Sequence, residues 1–310
     1  MSAKIIHKYL LSSRLLFIIV ITVFIAVRLF PSDTEWDSIS LWGSILVQIG
    51  IAFFLLQLNH VFNIIKVRAF LPALFYLLLI ICNPVLYYDF KGSLAAFCFL
   101  LSFYILFTSY QKPKSQIIAL NISLLLVLGS LLWPPLLFFF PVIWYGFHHF
   151  KCFNVHTFFA SLIGFVIVYL FIFTLSIFQG DKDIFFLLLP QFNTLFVFQQ
   201  PDFTILEWSF WGFLFIIYII IGLYLYIFNI SERIWTISIL KYLYSTAFFC
   251  FIFLIIQNEY KSTWGLITLI PIAFLIGHLF SHYNRVSVQI LQFLFYIFLI
   301  GVGIVQNIGT

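Results

Sequence analysis

Residues 115–150 read SQIIALNISLLLVLGSLLWPPLLFFFPVIWYGFHHF, and the way they divide decides the topology of everything after them. As one helix, at 1.5 Å per residue, they would run about 54 Å, against roughly 30 Å of hydrocarbon in a bilayer. Trp133-Pro134-Pro135 stands near the middle. Proline has no N–H to give and its ring clashes with the preceding turn, and the residue before it is pushed into extended backbone. The stretch therefore reads as two segments, 115–133 and 134–150, folded as a tight hairpin. A bent helix or a re-entrant segment is the alternative.

Lipid is the solvent to consider because of the rest of the chain. Of its 310 residues, 64% are hydrophobic and 8% are charged, and the mean hydropathy is +1.15. A water-soluble fold cannot hide that much apolar surface, which excludes a soluble enzyme, a disordered chain and a secreted disulfide scaffold. A membrane helix needs about 20 apolar residues. Working outward from the hairpin, candidate spans lie at 14–31, 41–59, 69–88, 92–110, 157–179, 205–229, 236–256, 263–282 and 287–307. With the hairpin these predict an all-α polytopic bundle of about eleven spans, one integral membrane domain over 1–310. Lys4, Lys8 and Arg14 precede the first apolar run and Arg28 follows it without a small-residue cleavage site. That pattern reads as an uncleaved first span.

Charge sets the orientation. With the N-terminus in the cytoplasm and the C-terminus outside, Lys4, Lys8, Arg14, Lys66, Arg68, Lys112, Lys114, Lys151, Arg233, Lys241 and Arg285 fall inside. Arg28, Lys91, Lys182 and Lys261 fall outside, so the positive-inside rule is obeyed. Reading 115–150 as one span would send Lys151, Arg233, Lys241 and Arg285 outside. Asp33, Glu35, Asp37, Asp89, Asp181, Asp183, Asp202, Glu207 and Glu259 lie outside, and Glu232 alone lies inside. The net charge of +5 points to lipid headgroups and not to nucleic acid. A bacterial inner membrane is the expected location.

Segment 180–204, GDKDIFFLLLPQFNTLFVFQQPDFT, is too broken by Pro190 and Pro201 to span, and reads as lying in the outer interface. Cys82, Cys98, Cys152 and Cys250 sit in or beside apolar runs and read as buried thiols. The 44 Phe residues read as codon drift in an AT-rich genome, or as the lining of a lipid pocket. The shortage of small residues predicts few closely packed small-xxx-small crossings.

Two sets of side chains carry candidate chemistry. The first is acidic and external: Asp33 and Asp37 in the first outer loop, and Asp89 in the second. Paired carboxylates at a lipid–water boundary can hold a divalent metal on a phosphate, or take the proton of an acceptor hydroxyl. Arg28 and Lys91 flank them as candidates for binding a lipid phosphate. The plainer reading is solvated loops that keep acids out of lipid. The second set is histidine: His148, His149, His278 and His282, with His278 and His282 one turn apart. Imidazoles gathered at one membrane face suit iron, although interfacial rings are the plainer explanation. Gln48, Gln57, Asn121 and Ser161 are too scattered to trace an ion path, and Lys241 can snorkel to the cytoplasmic face.

Parts of residues 14–150 resemble the GT-C-type glycosyltransferases, which draw sugars from polyprenyl phosphates at the outer face. The similar parts are the first span with its acidic loop, LNHVFNIIKVRAFLPALFYLLL, SLAAFCFLLSFYILFTSY and ALNISLLLVLGSLLWPPLLFFFPVIWYGF. The same stretch is similar to an uncharacterised family of polytopic inner-membrane proteins of Bacteroidota-type bacteria. Leu58-Asn59, Phe70-Leu71-Pro72-Ala73-Leu74 and Leu128-Gly129-Ser130-Leu131 before Trp133-Pro134-Pro135 carry that likeness. The resemblance implies a GT-C-like half, 1–150, followed by further helices, 151–310, and an envelope-biogenesis role on a lipid-linked sugar. A non-catalytic anchor with protein partners in an envelope-assembly complex is one alternative. A histidine-iron oxygenase acting on a carotenoid-like substrate is another.

Overall fold

The computed structural model describes residues 14–29, 39–65, 70–87, 89–112, 115–178, 202–227 and 233–281, with Phe295 and Gly301. Every regular element among them is helical. In chain order these are α1 (Arg14–Leu29), α2 (Ile39–Phe62), α3 (Leu71–Ile81), a 3₁₀ turn at Pro84–Leu86 and α4 (Phe90–Phe107). Next come α5 (Gln116–Leu132), a 3₁₀ turn at Pro134–Phe138, α6 (Phe139–His149) and α7 (Val155–Phe178). Then follow α8 (Ile205–Ile227), α9 (Ile234–Ile256), a 3₁₀ turn at Asn258–Tyr260 and α10 (Lys261–Ser281).

Six of the expected spans are helices long and apolar enough to cross a bilayer unaided: Ser40–Phe62, Phe90–Phe107, Val155–Phe178, Ile205–Tyr226, Ile234–Ile256 and Lys261–Ser281. The apolar stretches in α1, α3 and α5 are shorter. The expected span 287–307, and 180–204 up to its last three residues, lie outside the described residues.

Two of the shorter elements share one cause. Asn83 (φ −135°, ψ 96°) and Trp133 (φ −145°, ψ 98°) are both extended, each precedes a proline, and each opens a 3₁₀ turn. Pre-proline backbone is driven out of the helical region. The expected span 69–88 is accordingly an 11-residue helix followed by a turn, and 134–150 is a turn followed by an 11-residue helix.

The hairpin is formed. The Gln111 N–H donates to the Phe150 carbonyl at 3.1 Å, and Ser115 Oγ donates to the Cys152 carbonyl at 2.9 Å. The start of α5 and the end of α6 therefore share one end, with Trp133 at the far tip. The seventeen residues of α5 rise about 25 Å, and the turn plus α6 return a similar distance.

The chain forms two compact units, each drawing on both sequence halves. One contains residues 1–90, 202–248 and 268–310; the other contains 91–201 and 249–267. In the second unit α7 packs on α5 through a single stripe: Thr157, Ser161, Gly164, Val168, Ile172 and Ser176. A Cβ on Gly164 would overlap Ser123 Oγ and stand 3.0 Å from the Leu120 carbonyl oxygen. The expectation of few small-residue crossings is thus corrected at this crossing: glycine on one helix and serine on the other bring the two backbones close. The rest of α7 turns large apolar side chains outward, Leu170, Phe171, Ile177 and Phe178 among them. Such a face suits lipid and not water, and the protein is an apolar helical one of the kind an integral membrane protein requires.

No disulfide joins the four cysteines; Cys82, Cys152 and Cys250 are buried and Cys98 is partly so. Buried Glu207 answers a different need. Its Oε2 accepts from the Thr204 N–H at 2.8 Å, while Thr204 Oγ1 accepts from the Glu207 N–H at 3.3 Å. This reciprocal pair caps the N-terminus of α8.

Candidate functional site

Arg28 stands in the last turn of α1, where the negative end of the helix dipole favours a cation. Its side chain is 1% exposed. Removing a guanidinium from water costs several kcal/mol, so it must be met by hydrogen bonds and ring faces. Nη2 donates to Gln48 Oε1 at 2.6 Å and to the Leu86 carbonyl at 3.5 Å, and Nη1 donates to Ser44 Oγ at 3.3 Å. The rings of Phe24 and Tyr87 each lie 4.7 Å from the guanidinium carbon, a favourable cation–π distance.

The helix break at Pro84 makes this arrangement possible. Carbonyls inside a helix are already engaged, whereas those of Leu86 and Tyr87, at the end of the turn, can turn to other donors. Gln48 Nε2 donates to the Leu86 carbonyl at 3.1 Å, and Ser44 Oγ to the Tyr87 carbonyl at 2.8 Å. Gln48 is thus a bridge, accepting from α1 and giving to the turn. Ser44 and Gln48 are four residues apart on α2 and present both groups on one face. Beside them Gly43 lies against the Phe90 ring, which a Cβ would approach to 2.7 Å.

The cluster fastens four chain positions together: the end of α1, the first turns of α2, the turn at Leu86–Tyr87, and Phe90. These positions flank the two connections that carry Asp33, Asp37 and Asp89. Half-buried Asp89 lies between Tyr87 and Phe90. Lys91, in the first turn of α4, is exposed. Asp33 and Asp37, between α1 and α2, lie outside the described residues. Tyr76 on α3 is completely buried and stands within electrostatic reach of Arg28. The Tyr76 hydroxyl and Asn83 Oδ1 are buried with no hydrogen-bond partner among the described residues.

The histidines do not assemble in the same way. His148 is exposed at the end of α6, and His149 stacks on Tyr145 with ring centroids 5.8 Å apart. His278, on α10, is 2% exposed and lies 6.4 Å from the Tyr224 ring. His282 is outside the described residues. Among the described residues no three His, Cys, Asp or Glu side chains are grouped to hold a metal. Lys241 is half-buried, with its ammonium 5.4 Å from the Tyr226 ring centroid.

The motifs behind the family likeness occupy structural positions. Asn59 Oδ1 accepts from the Ile65 N–H at 2.8 Å and closes the turn after α2. Pro72 lies in the first turn of α3, and the Trp133 N–H donates to the Gly129 carbonyl at 3.0 Å to end α5. No family model matches the chain, and no curated protein or solved structure is detectably similar to it.

Sequence reading singled out Arg28 and noted Gln48 only as a scattered polar residue. It missed Ser44, Tyr76 and Asn83. The available signal was the Asn83-Pro84 pair, which marks a helix break as Trp133-Pro134 does.

Proposed function

We propose that the chain is an inner-membrane protein that binds a lipid-linked, phosphate-bearing sugar carrier at its outer face, with Asp33, Asp37 and Asp89 as the acids that act on it. One observation supports this reading above the others. The Arg28–Gln48–Leu86 cluster ties the roots of both acidic loops to one place. Asp33 follows Arg28 by five residues, a reach of at most about 18 Å, and Asp37 precedes α2 by two residues. Asp89 is two residues beyond Tyr87.

In this reading exposed Lys91 meets the carrier phosphate, and Arg28 positions the loops from beneath. A divalent metal shared between carboxylates and phosphate is the cofactor such a set would take. A carboxylate accepts the proton of an acceptor hydroxyl, whose oxygen bonds to the anomeric carbon. The bond from that carbon to the phosphate oxygen breaks, and the polyprenyl phosphate leaves with the electron pair.

The test is complementation of a deletion strain by Asp33→Asn, Asp37→Asn and Asp89→Asn, with protein level checked in the membrane fraction. Loss of function at normal protein level in at least one variant is expected. Full complementation by all three overturns the proposal and leaves the anchor of an envelope-assembly complex as the reading to pursue, through stable co-purification of a protein partner.

A further inference from the structure

The shared end of the hairpin carries a second feature, independent of the acidic loops. Two short connections meet there. One joins α4 to α5 and contains Lys112; the other joins α6 to α7 and contains Lys151. They are locked side by side by the Gln111–Phe150 hydrogen bond, by Cys152 Sγ donating to the Ser109 carbonyl at 2.6 Å, and by Ser115 Oγ within 2.9 Å of Thr157 Oγ1. Gln111 (φ 54°) and Lys151 (φ 58°) both hold left-handed backbone, so both turns are tight.

The locking creates a patch of one sign. Lys112, Lys151, His148 and His156 are exposed around it. No Asp or Glu occurs anywhere between Phe90 and Gly180. The helices α5 and α7 both start at this end, and their N-termini add positive potential. Apolar surface continues directly from the charge: Ile117 is 76% exposed, Val155 67% and Phe159 56%. A soluble anion or an acidic protein segment would use the charge and leave that apolar face unmet. A phospholipid uses both.

We propose that this end of the hairpin is a binding site for an anionic phospholipid. Its phosphate sits between Lys112 and Lys151, and its acyl chains lie along the outward faces of α5 and α7. Each lysine near an anionic headgroup contributes about 1 kcal/mol, which for two is roughly 30-fold in affinity before screening. The turns fix both lysine backbones, Lys112 N–H donating to the Ser109 carbonyl at 2.9 Å and Lys151 N–H to the His148 carbonyl at 3.0 Å, so the site favours an anionic lipid over a zwitterionic one.

The experiment is native mass spectrometry of the whole protein after equilibration in mixed micelles of phosphatidylglycerol and phosphatidylcholine. Retained phosphatidylglycerol should exceed phosphatidylcholine, and the Lys112→Gln/Lys151→Gln variant should lose that preference by roughly tenfold or more. Lys261→Gln, whose neighbours Tyr260 and Trp264 ring-pack with Trp133 at the opposite tip, should keep it. Thermal unfolding of each variant in the same micelles separates loss of the site from loss of the fold. A double variant that stays folded with an unchanged preference overturns the proposal. So does displacement of the lipid by millimolar inorganic phosphate, which would make the site one for a free anion.

Discussion

Arg28 on α1 and Gln48 on α2 are joined by a 2.6 Å hydrogen bond, and the same carboxamide donates to the Leu86 carbonyl. Three segments are therefore joined through one neutral side chain, which makes the shortest hydrogen bond to one buried charge. Gln48→Leu removes the acceptor and leaves the guanidinium under-solvated. A loss of about 3 kcal/mol in stability is expected. Arg28→Met/Gln48→Leu removes charge and acceptor together and should recover most of that loss. Thermal unfolding in detergent of the two single variants and the double one reads the coupling. Additive losses would refute the arrangement.

The α5–α7 crossing allows a second test. Gly164→Ala should cost about 1–3 kcal/mol, because the new methyl meets Ser123 Oγ and the Leu120 backbone, which cannot rotate away. Combining it with Ser123→Gly removes the side-chain part of the clash and should restore part of the loss. Ala160→Leu, a half-buried neighbour on the same helix outside the packed stripe, should have a much smaller effect.

At the start of α8, Thr204→Ala should lower stability by about 1 kcal/mol, and Glu207→Ala by a similar amount. The two losses should not add, because each side chain completes the other's hydrogen bond. Hydrogen exchange of the Thr204 and Glu207 amides gives a local readout, and both should exchange faster in either variant.

Sidedness follows from the hairpin. Single cysteines placed at Lys112 and Lys151 should be labelled by a membrane-impermeant maleimide from the same side, and one at Lys261 from the other. By the positive-inside reading of the charges, the reagent should reach 112 and 151 only after the cytoplasmic side is opened. Labelling of 112 and 151 from opposite sides would show that Pro134 does not return the chain across the membrane.

Much of this architecture is visible in the linear sequence because lipid imposes a blunt requirement. A run such as 157–179 must be helical and apolar throughout, and α7 occupies almost that range. Trp133-Pro134-Pro135 was equally legible, since proline acts on its immediate neighbours. The same signal at Asn83-Pro84 is easily passed over in an apolar run, yet it ends α3 and frees the carbonyls that Arg28 and its partners use. Burial of Arg28 could not be read, because its hydrogen-bond partners lie sixteen to fifty-eight residues away in sequence. Counting small residues misled in a related way. Gly164 and Ser123 are two residues in a large chain, but they face each other. The candidate acids were legible only as a charge asymmetry, and Asp89 alone among them falls within the described residues.

The single packed stripe of α7 also determines where the sequence is free to drift. About one residue in four along this helix is buried, and there a methylene more or less matters. Along the outward face the membrane asks only for oiliness, and it accepts Phe, Leu and Ile as synonyms. Mutational pressure on the genome can rewrite that face without altering the fold. The short polar residues Thr157 and Ser161, with Gly164 facing Ser123 of α5, are where the helix keeps its meaning.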